Sequence, residues 1–531
     1  MRFLPAGLGA LLVELDDLPQ TLALYASLSA DPIPGVGQLV PAARTLLVHF
    51  DPAVIARRDL AVQIGARRLH ALADSSAARV EIPVHYDGDD LADVARMLGL
   101  PAEEVVRRHG SRDYTCAFVG FAPGFAYLSG GHPGLSVPRR SSPRTRIPAG
   151  AVALAGEFSA VYPQASPGGW QIIGRTSAPM WDLARDVPAL VQPGCRVRFV
   201  DVTGSAAGLP TTPPTTPQTL PQPPRSEARR NGAALHVLNP GLQALFQDSG
   251  RHGLAGQGVS ASGAMDPAAL RAANRLVGNP SGTACIELVY GGFAFVCQGD
   301  AVVAFTGAQA PITLHTAGGL RLRLPGHAAV GLSDGDRVSL GQPVAGIRCY
   351  LAVRGGFDVQ PVLGSCATDT LARLGPPAVQ AGDVLGIRPV ARGAVVGLPE
   401  LPADALPSVQ HTVTLDVVMG PRSDWFTPDA LALLQAQTWR VTAQSDRVGL
   451  RLQGDAALVR ARAGELPSEG TVRGALQVPP NGQPVLFMAD HPLTGGYPVI
   501  ACVAAHHLDR AGQVPIGATL RFNPLQAFDT P

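Results

Sequence analysis

The sequence predicts a mostly β protein with α+β parts, divided into two linked modules. Its 60 glycines and 49 prolines interrupt the apolar segments every few residues, as expected for many short strands joined by turns. One segment rich in proline and threonine, 203–232, is typical of an extended linker. It separates two parts of the chain that are each long enough to bury a core.

Charge and residue usage exclude several classes of function. The 42 basic and 41 acidic residues give a net charge of +1, without the basic surplus that nucleic acid binding requires. All 42 basic residues are arginine, which excludes a P-loop, a biotinylated lysine and Schiff-base chemistry on this chain. No stretch of about 20 clean apolar residues indicates a membrane span.

The cysteines and histidines predict neither a disulfide framework nor a metal site. Seven cysteines are scattered without a CxxC pair, which is typical of a reduced protein, so we expect a cytoplasmic location. His506 and His507 are adjacent rather than at helical i, i+4 spacing, which argues against zinc. The apolar run near the N-terminus is closed early by acidic residues and is interpreted as a strand rather than a signal peptide.

The first module is predicted to consist of a small α/β subdomain, 1–80, and a barrel, 81–202. In the subdomain, apolar runs at 8–17 and 45–52 predict strands, and the spacing at 19–30 predicts a helix. In the barrel, the sequence predicts strands at 78–88, 151–156, 169–176 and 193–200 and helices at 89–100 and 101–111, with Asp89 or Asp90 as the cap of the first helix.

The second module, 233–531, is predicted to contain two barrel-like halves, about 233–405 and 406–531. The sequence pattern predicts β-strands over most of both halves. The exception is a helix after Ser262, in which Asp266 is the N-cap, Pro267 lies in the first turn and Gly278 ends the helix.

A GxSxG pattern at 331–335 resembles a nucleophile elbow only superficially. A strand and not a helix follows it, so Asp334 and Gly335 are interpreted as a hairpin turn.

An arginine-rich loop at 120–150 is the main candidate binding element of the first module. It carries four arginines and no acid, and its glycines and prolines limit its freedom. Arg139 and Arg144 therefore lose little entropy when they clamp a carboxylate or a phosphorylated group. The alternative is that these arginines only pair with Glu157 or Asp182 on the barrel surface.

Three further residues of the first module are candidates. His132 is a candidate acid or base near the arginines, and the alternative is a turn histidine in solvent. Tyr162 is assigned to substrate binding, with a core position as the alternative. Trp170 is expected to fill the core.

In the second module the candidates are polar residues among glycines and prolines. The amides of Gln477 and Gln483 suit a cyclic amide or a urea, and Tyr497 is assigned to the same ligand. Asp490 is a candidate catalytic residue. Ser262 precedes a predicted helix start, where backbone N–H groups suit an anion, and it is assigned to substrate binding.

The motifs at 120–128, 138–150 and 162–176 resemble the B subunit of 5-oxoprolinase, also known as allophanate hydrolase subunit 1 or the sporulation kinase inhibitor. The second module resembles the companion C subunit, or allophanate hydrolase subunit 2. The matching segments there are 247–266, 272–279, 445–454, 467–490 and 494–503. The resemblance covers nearly the whole chain outside the linker and implies cyclophilin-like β-barrels in both modules.

Two segments depart from the pattern of the C subunit. The family usually has Gly-Ser-Arg-Ser-Thr where this chain has Gly-Ser-Cys-Ala-Thr at 364–368. It usually has Arg-Gln-Thr-Thr where this chain has His-Pro-Leu-Thr at 491–494. Both segments are expected to line the site.

The resemblance implies a hydrolase acting on a cyclic amide. The chain would be the fused B–C component of an ATP-dependent 5-oxoprolinase that converts 5-oxo-L-proline to L-glutamate with a separate A subunit. ATP would be used at that partner, and this chain would hold no covalently bound cofactor. Two alternatives stay open: the carboxyltransferase component of a biotin-dependent urea or amide carboxylase, and a non-enzymatic regulator of a histidine kinase. A homo-oligomer is also an open alternative.

Overall fold

In a computed structural model, residues 1–69, 79–140, 142, 144–204, 232–390, 394–402, 405–464 and 466–525 are described. Strands dominate these residues and form successive sheets in both modules, so the predicted mostly β, two-module fold is confirmed. The predicted linker lies outside the described residues except at its ends, and its role as a tether stays a prediction.

The chain begins with a small sheet and two helices. The elements are β1 (Arg2–Pro5), β2 (Ala10–Glu14), α1 (Leu18–Ala30), β3 (Val36–Pro41), β4 (Thr45–Phe50) and α2 (Arg57–Gly65), with the sheet order β1–β2–β4–β3. Asp17 Oδ1 accepts the Gln20 N–H at 2.9 Å and so begins α1. The strand predicted at 8–17 is confirmed as β2, whereas β1, which pairs with it as a hairpin, and α2 were not predicted.

Both faces of this sheet are covered, which explains the consecutive apolar residues of β2. Successive side chains of a strand point to opposite faces. Leu11 and Val13 pack with residues of α1 and α2, whereas Leu12 and Leu47 pack against the C-terminal part of the chain. The residues met there are Val472, Ala475, Phe487, Leu493, Val499 and Cys502. The two modules therefore share a hydrophobic core.

The rest of the first module is a nearly closed barrel. Its elements are β5 (Arg79–Val84), α3 (Leu91–Leu98), α4 (Ala102–His109), β6 (Tyr114–Val119), β7 (Ala126–Ser129), β8 (Arg144–Ile147), β9 (Ala151–Ala155), β10 (Phe158–Val161), β11 (Ser166–Gly168), β12 (Gln171–Arg175) and β13 (Arg196–Asp201). The sheet order is β12–β9–β10–β7–β6–β13–β5, and a bridge between His85 and Arg175 joins its two edges. β8 and β11 form a separate ribbon.

A histidine lies buried in this barrel between two hydroxyl groups. His109 Nδ1 is 2.7 Å from the Tyr86 hydroxyl, and Nε2 is 2.8 Å from the Ser159 hydroxyl. The imidazole stacks on Phe199 with a centroid distance of 4.3 Å. Burial lowers the pKa of His109 to about 3, because a charged imidazolium would lose its hydration there. The folded protein therefore holds this histidine neutral.

We expect a His109→Gln variant to be less sensitive to acid than the wild type. Between the folded pKa of about 3 and the unfolded value of about 6.5, only the unfolded chain binds the proton, so stability falls as pH falls. From pH 7.5 to 5 this contributes about 2 kcal/mol, and glutamine removes the titration while still bonding both hydroxyls. Urea unfolding of both proteins at both pH values measures the difference. Equal pH dependence would contradict a neutral buried histidine.

The second module opens with two sheets packed face to face. The strands are β14 (Ala234–Pro240), β15 (Gln243–Gln247), β16 (Cys285–Val289), β17 (Phe293–Gln298), β18 (Ala301–Gln309), β19 (Ile312–His315), β20 (Arg321–Leu324), β21 (Ala329–Leu332), β22 (Arg337–Leu340), β23 (Ala345–Val353) and β24 (Val384–Gly386). Their order is β20–β19–β22–β17–β14–β24 in one sheet and β15–β16–β23–β18–β21 in the other. Residues of both sheets share one core, which includes Phe295 and Leu351.

Two local predictions in this half are confirmed. Helix α5 (Pro267–Val277) begins at Asp266, whose Oδ1 accepts the Ala269 N–H at 2.9 Å, and it ends at Gly278 in the left-handed region. Ser333 lies in the turn between β21 and β22, not in an elbow before a helix.

The C-terminal half is a closed barrel. Its elements are β25 (Val413–Met419), α6 (Pro428–Ala436), β26 (Trp439–Val441), β27 (Gly449–Gln453), β28 (Glu469–Gly470), β29 (Ala475–Gln477), β30 (Val485–Phe487), β31 (Thr494–Gly495), β32 (Val499–Val503), α7 (Leu508–Gly512) and β33 (Thr519–Pro524). The barrel order is β25–β32–β29–β30–β27–β26–β33, and the parallel pair β25–β33 closes it. β28 and β31 form a two-stranded ribbon outside the barrel. Across the described ranges, no helix is long and apolar enough to cross a membrane.

Candidate functional site

The arginine-rich loop of the first module is fixed by one buried acid, Asp90. Arg144 donates from Nη1 and Nη2 to the two carboxylate oxygens at 2.8 Å each, and Arg140 Nη1 donates at 2.5 Å. The Asp90 side chain is only 2% exposed and also accepts the Ile172 N–H at 2.7 Å. Burial alone would raise the pKa of Asp90, but the hydrogen bonds from Arg144 and Ile172 lower it.

Two expectations about this loop are corrected by that contact. The surface-pairing alternative named Glu157 or Asp182, but the partner of Arg144 is Asp90. Asp90 does precede α3, but its side chain makes no capping hydrogen bond because its oxygens serve the loop. Arg144 thus braces the loop, and its contact with substrate stays a prediction.

Arg139 faces the second module. A Cβ atom on Gly496 would lie 3.3 Å from Arg139 Nη1. Arg139 also lies near Tyr127 and Tyr162: burial raises the pKa of both phenols, and the charge of Arg139 lowers it. The arginine predicted to clamp an anion therefore lies where the two modules meet.

This meeting place, called the junction below, is formed by Gly120, Tyr127, Arg139, Ser468, Thr494 and Gly496. Gly120 packs closely on Thr494, because a Cβ there would lie 2.3 Å from Thr494 Oγ1 and one of the two residues would have to shift. Thr494 is 3% exposed, and its Oγ1 makes no hydrogen bond of normal geometry within the described part of the chain, although the Tyr127 phenol lies near it. Buried hydroxyls are usually hydrogen-bonded, and the Tyr127 phenol is the described group placed to bond this one.

Of the residues predicted for the site in the second module, Gln477 and Tyr497 lie at the junction, and Gln483 braces a turn. Gln477 Nε2 donates to the Tyr497 carbonyl at 3.1 Å and would lie 2.5 Å from a Cβ on Gly495. The Tyr497 side chain is exposed. Gln483 Oε1 accepts the Gly454 N–H at 2.8 Å, and its Nε2 donates to the Gly454 carbonyl at 3.4 Å. Gln483 thus holds a turn by both ends of its amide.

Tyr162 lies in an aromatic core beside the junction. It is 1% exposed, and its ring meets Phe125 edge to face with centroids 5.2 Å apart. Trp170 belongs to the same core, as predicted. Tyr162 therefore occupies a core position, which was the alternative to substrate binding. Its role in substrate binding stays a prediction.

His132 lies apart from the other candidates. Its Nδ1 accepts the Gly134 N–H at 3.1 Å at the start of a short turn, and its charged neighbours are led by Arg108. None of its described contacts is with Arg139 or Asp490. The predicted acid–base role gains no support from this geometry.

Asp490 is the centre of a fully buried network. Arg447 donates to it from Nε and Nη2 at 3.0 Å each, the Ser262 hydroxyl at 2.6 Å, and the Thr370 N–H and hydroxyl at 2.8 Å each. Burial alone would raise the pKa of Asp490, but Arg447 holds it below its usual range. Two predicted residues, Ser262 and Asp490, are therefore brought together, and donors occupy both oxygens of the carboxylate.

Arg447 also links Asp490 to an acid in the other half of the module. Its Nη1 donates to Glu287 Oε1 at 2.5 Å, and Glu287 Oε2 accepts the Tyr350 hydroxyl at 2.6 Å. The side chains of Arg447 and Glu287 are 1% and 0% exposed. The sequence did not single out Arg447 or Glu287, although Glu287 is the only acid in the apolar segment 284–298.

A further buried acid that the sequence did not single out is Asp369. Its Oδ1 accepts the N–H groups of residues 371 and 372 at 3.0 and 2.8 Å, and the Ser260 hydroxyl donates to Oδ2 at 3.2 Å. Burial, followed by the charge of Asp490, raises the pKa of Asp369 to about 7. Two neighbouring carboxyls are therefore shifted in opposite directions: the pKa of Asp369 is raised and that of Asp490 is lowered.

The first module touches the loop that carries Asp369. Gln164 Nε2 donates to the Leu371 carbonyl at 3.4 Å. Phe121 of the first module, and Ser262 and Arg373 of the second, have φ values of 62°, 54° and 57°, which are uncommon outside glycine. Such backbone conformations cluster at functional sites.

The two segments that depart from the family pattern lie in different surroundings. In 364–368, the Ser365 hydroxyl and the Cys366 N–H each donate to Asp248 at 2.6 Å, so this segment packs on the residue that follows β15. In 491–494, Thr494 forms part of the junction.

One group of side chains has the composition of a metal site. The ligand atoms of Asp416, His506 and His507 lie within 4.8 Å of one another. However, His507 Nδ1 already accepts the Asp416 N–H at 2.8 Å, so its lone pair is engaged. We assign no metal to this group.

Comparison with known proteins accounts for both modules. Residues 1–191 match the family model of the carboxyltransferase domain, subdomain C and D, and residues 257–524 match that of subdomain A and B. The crystal structure of TTHA0988 superimposes with a TM-score of 0.80 at 34% identity and covers 97% of this chain and 99% of that one.

Curated relatives each match a part of the chain. The 5-oxoprolinase C subunit of Escherichia coli (strain K12) is 35% identical over 292 residues, 54% of this chain and 90% of the relative. The 5-oxoprolinase B subunit of Bacillus subtilis (strain 168) is 35% identical over 201 residues, 34% of this chain and 82% of the relative. Urea amidolyase of Saccharomyces cerevisiae is 33% identical over 310 residues, which span 55% of this chain and 17% of that protein. The chain therefore belongs to the carboxyltransferase-domain family, as a fused protein whose two modules are similar to the B and C subunits of 5-oxoprolinase, respectively.

Proposed function

We propose that the chain is the fused B–C component of an ATP-dependent 5-oxoprolinase, which opens the lactam of 5-oxo-L-proline to L-glutamate with a separate A subunit. The junction carries this proposal. Modules similar to two subunits of one enzyme meet there, and they bring Arg139 into the same place as the buried Thr494 hydroxyl.

The junction suits a small ligand that has a carboxylate at one end and an amide at the other. Arg139 binds the carboxylate of 5-oxoproline through charge-assisted hydrogen bonds, which a planar guanidinium makes in pairs. Thr494 Oγ1 and the Gln477 amide, which lies next to Gly495, serve the lactam group. This arrangement explains why the site needs both modules.

Opening an unstrained lactam requires activation of its carbonyl carbon. Transfer of a phosphoryl group to the amide oxygen makes this carbon a better electrophile, and the B–C chain holds the labile intermediate away from bulk water until hydrolysis. The chain lacks lysine and therefore a P-loop, so we assign ATP to the partner protein and no covalently bound cofactor to this chain. We assign the complex to the cytoplasm.

We expect the purified chain alone to form no glutamate from 5-oxoproline and ATP, and we expect the cognate A subunit to restore the reaction. The reason is that the nucleotide site is assigned to the partner. The measurement is glutamate and ADP formation by each protein alone and by the mixture. ATP-dependent turnover by the isolated chain would contradict the assignment of the nucleotide site to the partner. An inactive mixture would contradict the assigned reaction.

A second candidate is carboxyl transfer to urea or a related amide. The match to urea amidolyase over 310 residues favours it. Since no lysine is present, the biotin carrier would have to be another chain. Decarboxylation of carboxybiotin that depends on urea and on this chain would support this candidate over the first.

A further inference from the structure

A buried arginine ties the N-terminal subdomain to the C-terminal barrel beside the junction. Arg422 is 2% exposed, and its Nε lies 2.9 and 3.0 Å from the two carboxylate oxygens of Glu469. Its Nη2 also contacts Glu469 and lies 2.9 Å from Glu14 Oε1. Glu14 ends β2 and Glu469 begins β28, so one guanidinium spans the two modules.

β28 is half of the ribbon that carries part of the junction. Glu469 pairs with Gly495, and Gly470 pairs with Thr494. Because the pairing is antiparallel, Ser468, which precedes β28, and Gly496, which follows β31, lie at the same end of the ribbon. A displacement of Glu469 therefore moves Ser468 directly and moves Thr494 through the strand pair.

The ribbon is short and depends on its surroundings. Strands of two residues make few hydrogen bonds of their own. The N-terminal subdomain supplies further support, because the Ala43 N–H donates to the Ser468 carbonyl at 3.2 Å and a Cβ on Gly470 would lie 2.6 Å from Leu47 Cβ. The subdomain, rather than the barrel alone, therefore sets where the ribbon lies.

The charges at this contact favour a role in geometry. Glu469 is buried, and burial raises its pKa although Arg422 opposes the shift. Arg2 Nη1 also donates to Glu14 at 2.7 Å, so the guanidinium is held by two carboxylates, one of which is itself fixed by a second arginine. Buried ion pairs add little net stability compared with apolar packing, and their better attested effect is to fix one arrangement.

We propose that Arg422 is a positioning residue for the junction. With Glu14 and Glu469 it fixes the ribbon that carries Thr494, and it makes the N-terminal subdomain part of the binding site. The effect on ligand binding rests on the proposed function, whereas the ordering of the ribbon does not.

The test compares Arg422→Lys, Arg422→Met and Glu14→Gln in the full chain. Hydrogen exchange of residues 466–471 and 492–498 should become about 2- to 30-fold faster, the range expected when a coupling contact is lost. In the complex with the A subunit, the KM for 5-oxoproline should rise by a similar factor, and kcat should fall less. Lysine should restore part of the loss seen with methionine, because it keeps the charge but not the planar fork.

Arg462→Gln is the matched control. This arginine lies at the same end of the barrel, and its described ion pair is with exposed Asp424 at 2.9 Å, not with Glu14 or Glu469. It should leave exchange in the ribbon and the KM unchanged. If the Arg422 variants do not fold, Glu14→Gln decides, because it leaves the Arg422–Glu469 pair in place.

Two outcomes separate this inference from the proposed function. Unchanged exchange in the ribbon of a folded variant, with only a lower melting temperature, would overturn the positioning role. Faster exchange in the ribbon, together with no response of the wild type to 5-oxoproline, would support the positioning role and overturn the proposed substrate.

Discussion

The Arg447→Met substitution should cost about 3–5 kcal/mol of folding free energy, because it removes one partner of a buried ion pair. Methionine keeps the apolar length of the side chain but removes the cation that Glu287 and Asp490 share. Both acids are 0% exposed, so neither recovers its hydration without local unfolding. Urea unfolding of the full chain, followed by hydrogen exchange in β29 and β32, measures the loss.

Two further variants test whether the loss comes from a buried charge that has lost its partner. Arg275→Ala removes an exposed pair with Glu400, whose side chains are 54% and 33% exposed, and it should cost less than about 1 kcal/mol. The double variant Arg447→Met, Asp490→Asn should recover part of the loss, because Asp490 is no longer a buried charge without its partner and Glu287 keeps the buried Arg348 at 3.6 Å. A loss below about 1 kcal/mol for Arg447→Met alone would contradict the network's role.

The same network connects stability to the candidate site. Arg447 holds Asp490, and Asp490 in turn holds Ser262 in its uncommon backbone conformation and fixes the Thr370 N–H. Thr370 precedes Leu371, the residue that the first module contacts through Gln164. The charges buried between the two halves of the second module therefore also set the surface on which the first module lies.

The features that sequence predicted correctly depend on neighbours a few residues away. The α5 start needs only Asp266 and the N–H of residue 269, and the hairpin at Asp334 and Gly335 needs only a tight turn between two strands. Helix α6 had similar signals, since Thr427 Oγ1 accepts the Ala430 N–H at 3.2 Å and Pro428 follows the cap. These signals are as local as those of α5, so α6 is predictable from the sequence in the same way.

The contacts that sequence could not supply join residues far apart in the chain. Arg447 and Glu287 are 160 residues apart, and Arg144 and Asp90 are 54 residues apart. Periodicity identifies which face of an element is buried, but it does not identify what covers that face. The continuous apolar run of β2 indicates burial on both sides, yet only the fold shows that one side meets the C-terminal barrel.

This distinction also decides what the arginine-rich loop does. The sequence assigned Arg139 and Arg144 the same role, because both lie in one constrained stretch. The structure separates them: Arg144 is bound to Asp90, and Arg139 lies at the junction beside Gly496. We therefore expect the removal of Arg139 to affect ligand binding and the removal of Arg144 to affect stability.

We expect Arg139→Ala to weaken the binding of 5-oxoproline by about 1.5–3 kcal/mol, the usual contribution of hydrogen bonds to a charged group, with little change in melting temperature. Arg139→Lys should restore only part of the affinity, because an ammonium group lacks the planar fork that matches a carboxylate. Calorimetric titration of 5-oxoproline into each protein, with thermal unfolding alongside, measures both effects.

Arg144→Ala is the matched comparison, and it should show the reverse pattern. It removes two hydrogen bonds from a carboxylate that is 2% exposed, so the melting temperature should fall, while Arg140 and the Ile172 N–H still hold Asp90 in place. Affinity should therefore change less than in Arg139→Ala. Unchanged affinity in Arg139→Ala would remove this arginine from the binding site. Equal losses of affinity and stability in both variants would mean that the loop acts only as a brace and that the ligand carboxylate is held elsewhere along the junction.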